Sequence, residues 1–97
     1  MDENAWLVST DAERMVERLG NDPRHDEALI RFAITCIQHH PPLDPASPEP
    51  ARGPGNGFLL ARWATRNALP AEGPAREEAR AWQAALLRGM ASPFPHA

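Results

Sequence analysis

The residues with most chemical potential sit in one short stretch, ITCIQHHPP, from Ile34 to Pro42. It holds the single cysteine of the chain, Cys36, and the adjacent histidines His39 and His40. On a helix, Cys36 and His40 are one turn apart on a shared face, and His39 lies about 60° from Cys36. Two chemistries use such a set. A zinc site needs three or four ligands within about 2.0–2.3 Å of one ion. Cys36, His39 and His40 are candidates for it. His25, however, lies about 16 Å from Cys36 along a helix axis, and His96 falls in the C-terminal tail. No second Cys/His cluster offers the remaining ligands. Nucleophilic catalysis would instead need an accessible thiolate beside its base. Cys36 lies near the middle of an apolar face, where burial raises a thiol's pKa and leaves it a small hydrophobe. His39 and His40 stand at the negative end of the helix dipole, which a protonated imidazole stabilises. The expectation is a buried helix that ends in imidazoles, with no catalytic residue, metal or cofactor. A metal- or thiol-dependent site at Cys36, His39 and His40 is the alternative.

Other constellations point to binding rather than reaction. Arg62 and Arg66, one turn apart, can clamp an anion or an acidic partner. Trp6, Trp63 and Trp82 are large for so short a chain. They read as core anchors, and an exposed one among Trp63 and Trp82 would mark an interface. The segment ARGPGNG precedes a helix, but it lacks the Lys-Ser/Thr of a phosphate loop and no strand leads into it. Asp2, Glu3 and Asp11 are explained as residues of helix starts.

The elements that must position these side chains are helical. ENAWLVS reads as a short N-terminal turn that docks Trp6 and Leu7. Thr10 with Glu13 three residues on matches the capping box, followed by Ala12, Met15, Val16 and Leu19 on one face and Gly20 as the stop. Asp22 and Pro23 open a second helix, whose apolar residues from Leu29 to Ile37 cover about 200° of its circumference. Pro41 and Pro42 end it. Residues 41–57 are rich in Pro, Gly and Ser and read as a mobile loop. A third helix begins after Asn56 and closes before Pro70, with Leu60, Trp63, Ala64, Asn67 and Ala68 on one face. A fourth carries Ala75, Ala79, Trp82, Leu86 and Met90 at helical spacing. Residues 91–97 form a tail, with Phe94 a lid over the core.

The chain of 97 residues accommodates one domain. With 42% hydrophobic and 24% charged residues it has a globular composition, and its length limits it to a modest core. Formal net charge is −3, and all ten basic residues are arginines spread along the sequence. Without a basic patch to displace counterions, nucleic acid is disfavoured. One cysteine allows no intrachain disulfide. The acidic N-terminus has no signal-peptide pattern, and the longest apolar run is too short for a bilayer. The expectation is an all-α, soluble, cytoplasmic domain: a small bundle of four main helices with a short N-terminal turn and a long Pro/Gly-rich loop, free of membrane contact. The expected core comprises Trp6, Leu7, Met15, Val16, Leu19, Leu29, Phe32, Ala33, Cys36, Ile37, Leu60, Trp63, Trp82, Leu86 and Phe94.

The opening AWLVSTDAERMVERL resembles that of a helical module of unassigned activity widespread in planctomycete proteins. Trp6-Leu7, Thr10-Asp11, Met15 and Leu19 carry the likeness. Ile30-Arg31-Phe32-Ala33 and Cys36 match its next block, and Gln83, Leu86-Leu87-Arg88 and Pro93-Phe94 its end. Ile34 and Ile37 stand where that module commonly has further cysteines, and Ser92 replaces an Asn. The resemblance implies a helical module and adds no reaction. The functional expectation is therefore a non-enzymatic protein-interaction or adaptor module that binds another protein or itself, through Arg62, Arg66, Trp63 or Trp82. A small acidic inhibitor or antitoxin-like protein is a further alternative.

Overall fold

Caps and helix breakers divide the chain close to where their chemistry dictates. A computed structural model describes residues 2–42 and 46–94, and helices are the regular structure found there, with no strand among the described residues. The short α1 (Glu3–Val8) starts at Asp2, whose carboxylate accepts from the Ala5 N–H at 2.8 Å. α2 (Ala12–Leu19) is capped by Asp11, whose carboxylate accepts from the Arg14 N–H. The expected cap, Thr10, is exposed one position too early. Ser9 settles the register: its hydroxyl accepts from the Asp11 N–H at 3.1 Å, which leaves the Asp11 carboxylate facing the helix start. Gly20 ends α2 at φ 65°, a conformation strained for side-chain-bearing residues. A 3₁₀ turn, Pro23–His25, capped by Asp22, leads into α3 (Asp26–His39). α4 (Gly57–Asn67) and α5 (Pro74–Met90) complete the bundle.

α3 is the central helix. It packs most extensively against α4 and also contacts α5, while α2 lies against both α4 and α5. The radius of gyration is 12.7 Å, close to the roughly 13 Å of a compact domain of this size. Met15, Val16, Leu29, Phe32, Ala33, Cys36, Leu60 and Leu87 are all buried at this junction. Ile37, Trp63, Trp82, Leu86 and Phe94 pack against the core from its rim and remain half-exposed.

The expected buried face shifts in three helices, each for a local reason. The six-residue α1 has room to bury one side only. Trp6 takes it, at 2% exposure, which turns Leu7 and Val8 outward at 57% and 78%. In α4 the buried side is Gly57, Leu60, Ala61, Ala64 and Thr65, because small residues let it approach α3 closely. Trp63 is thereby rotated out to the edge. In α5 the buried set is Ala79, Gln83, Ala84 and Leu87, while Ala75 is exposed. Gln83 tolerates this place because its amide donates to the carbonyl of Ala68 at the end of α4.

The contact between α3 and α4 depends on one aspartate and one glycine. The Asp26 carboxylate accepts from the N–H groups of Gly57 and Gly55, at 2.7 and 2.8 Å. An anion thus satisfies the free donors at the start of α4. A side chain at Gly57 would collide with the Asp26 backbone carbonyl. Asn56, the expected cap, makes no capping bond with its side chain, which turns back to the Ala51 carbonyl. At the other end of the bundle, the Arg88 guanidinium donates to the carbonyls of Ser9 and Trp6, at 2.6 and 3.4 Å, and ties α1 to α5.

Candidate functional site

Two regions hold the sequence candidates. The first is the C-terminal end of α3. Cys36 is fully buried, and that burial pushes its thiol from an ordinary 9.0 up to about 12. A thiol held neutral in this way is a poor nucleophile and a poor ligand. One turn on, the His39 imidazole lies flat on the Trp82 indole, with ring centroids 4.1 Å apart and planes 20° apart. His40 meets His39 edge-on at 4.7 Å. The two histidines and Trp82 border a shallow pocket with Glu78, which Cys36 does not line. His25 sits instead beside the segment that holds Phe94, and His96 lies outside the described residues. Among the described residues, no three His, Cys, Asp or Glu side chains gather to hold a metal ion.

The second region is the outer side of α4. Leu59, Arg62, Trp63 and Arg66 recur at i, i+3, i+4 and i+7, a single stripe roughly opposite the face that packs on α3. The Pro/Gly-rich segment crosses this stripe. Its Ser47 accepts a hydrogen bond from the Trp63 indole N–H at 3.1 Å. Between them runs an open cleft of about 280 Å³ lined by Ser47, Pro50, Leu59, Arg62, Trp63, Arg66 and Asn67. Leu59 is 49% exposed there. The two arginines are held in place: the Arg62 guanidinium lies 5.6 Å from the Phe58 ring centre, and Arg66 reaches Glu13 of α2 at 3.1 Å. The same contact raises the Arg66 pKa further above its ordinary value. An Arg52–Glu49 ion pair at 2.8 Å braces the crossing segment, of which residues 43–45 lie outside the described residues.

The structure therefore brings Arg62, Trp63 and Arg66 together and puts Trp82 elsewhere, under His39. Leu59, Asn67, Pro50 and Ser47 are members of the cleft that sequence reasoning missed. The signal for Leu59 was present, since it falls on the Arg62–Arg66 stripe at helical spacing. Ser47 and Pro50 carried none, because a loop's path over a helix has no periodicity to read. No helix among the described residues is long and apolar enough to cross a membrane. Comparison with protein-family models, curated proteins and solved structures gives no match.

Proposed function

We propose that this protein is a non-enzymatic protein-interaction module whose docking surface is the α4 cleft. The carrying observation is that Leu59 and Trp63 form an apolar floor on the outer side of a helix whose inner side already supplies the core. A surface helix normally places polar residues there. Here Leu59 and Trp63 share an open cleft with two arginines, and tryptophan and arginine are enriched in the centres of protein interfaces. The occupant this chemistry suits is a segment that combines an apolar side chain with a carboxylate. At the α3 terminus the Cys36 thiol is buried and neutral, which speaks against thiol chemistry there.

The test is affinity capture from the native cell lysate, with wild type and Leu59→Asp chains side by side at low and high salt. The reading predicts a stoichiometric protein captured by the wild type, lost with Leu59→Asp and reduced by salt. Equal capture by both chains, or none by either, contradicts it.

A further inference from the structure

Among the described residues, the large hydrophobic side chains most exposed to solvent are Leu7, Val8 and Leu59. They form two separate patches, and the patches differ in charge. α1 presents Leu7 and Val8 together with Glu3, one turn before Leu7, and Asp2 at its cap; it carries no basic residue. The α4 cleft presents Leu59 and Trp63 alongside Arg62 and Arg66. One patch is thus an apolar ridge with its acidic residues at the N-terminal end and Arg88 at the other, and the second is an apolar groove whose cations are Arg62 and the Glu13-paired Arg66. Within one molecule they do not meet, since no α1 residue lines the cleft. α1 is also pinned where it lies, by burial of Trp6 and by the bonds from Arg88 to its last carbonyls.

We propose that the occupant of the α4 cleft is α1 of a second copy of this chain, with Leu7 and Val8 on Leu59 and Trp63 and Glu3 toward Arg62. This rests on the reading of the cleft as a docking surface and names its partner. Both patches are preformed on helices, so association costs little ordering. Because the two surfaces differ, the contact is heterologous: it closes when two or more copies complete a ring, and otherwise extends. The charged pair lies at the rim, so it sets orientation and salt dependence, while the apolar residues supply most of the affinity.

The test is sedimentation equilibrium of the full chain over a wide concentration range, with wild type, Leu7→Glu, Leu59→Asp, Glu3→Arg and Arg62→Glu. All four positions lie on the surface or at its edge, so the fold tolerates the changes. The expected result is concentration-dependent association of the wild type, with Kd raised about tenfold or more by each single change. Mixing Glu3→Arg with Arg62→Glu should restore association, since the reversed charges then face each other across the contact. A monomeric wild type overturns the proposal, as does association indifferent to Leu7 and Leu59, or a mixture that fails to recover. A monomeric wild type that still captures a different protein through Leu59 would overturn the second copy alone and leave the cleft reading standing. Loss of both results would remove the two together.

Discussion

Two tryptophans in similar settings have opposite fates. Trp82 and Trp63 each stand at the edge of the core on a long helix. Trp82 is covered by the chain's own His39, stacked at 4.1 Å. Trp63 is held by a hydrogen bond to Ser47 and has one flank open to a cleft with Leu59. The α3 end, which carries the residue types of catalysis, keeps its thiol in the core and stacks His39 on Trp82 beside a pocket of its own. The α4 stripe, whose residues are ordinary one by one, borders an open cleft in which Leu59 is half in solvent. Residue types alone thus misplace the interest of this molecule, and the surroundings of each side chain decide it.

The contrast breaks most severely if α4 loses its seat. Gly57→Ala puts a methyl group into the Asp26 carbonyl and displaces the carboxylate bonds at the start of the helix. It should cost about 3 kcal/mol of stability, measured by denaturant unfolding, and the cleft should be lost with it. Asp26→Ala is the milder form of the same lesion, since it leaves the two N–H groups without their anion.

The α3 end can be tested at Cys36. Replacing it by alanine should remove packing alone, about 1–2 kcal/mol, with partner capture unchanged. The native thiol should resist a disulfide reagent at pH 8 and react fully once the chain is unfolded. Since its pKa rises on folding to about 12, the neutral thiol's contribution is intact below pH 9 and declines as pH climbs toward 12. Rapid native modification at pH 8 would reopen the thiol-dependent reading.

Leu59→Asp sharpens the comparison in the other direction. With its side chain half in solvent, it should shift stability by no more than about 0.5 kcal/mol and still abolish capture. The smallest effect lies outside both regions, at Asp22. Hydrogen bonds from Arg24 lower its pKa from an ordinary 3.8 to about 2. A carboxylate lowered on folding stabilises the native state above its unfolded pKa and loses that effect as pH falls toward 2. The stability difference between wild type and Asp22→Asn should therefore be present at pH 5 and shrink through pH 4 to 2, in acid unfolding followed by circular dichroism. A difference that stays constant over that range would contradict it.

How much of this was legible depends on the distance over which each feature is encoded. Helix existence is local, so caps at Asp22 and breakers at Gly20, Pro41 and Pro70 place the helices within a few residues. The burial of Cys36 was equally legible, because the apolar arc of α3 surrounds it. Rotation about a helix axis was less so. The alanines of α4 draw it onto α3 and carry Trp63 outward, and Gln83 is buried because a carbonyl 15 residues away receives its amide. The Asp26 cap on α4 joins residues 31 apart, which no spacing rule reports. The cleft was half visible: its arginines and Trp63 stood out, while Leu59 and the crossing loop acquired meaning only from the fold.

The most direct test of the cleft as a docking surface is photo-crosslinking in living cells, with a photoreactive residue at position 59 and, as reference, at the exposed Arg31 of α3. The account predicts a discrete crosslinked species of higher mass from position 59 and none from position 31. The same pattern from both positions, or no product from position 59, would contradict it.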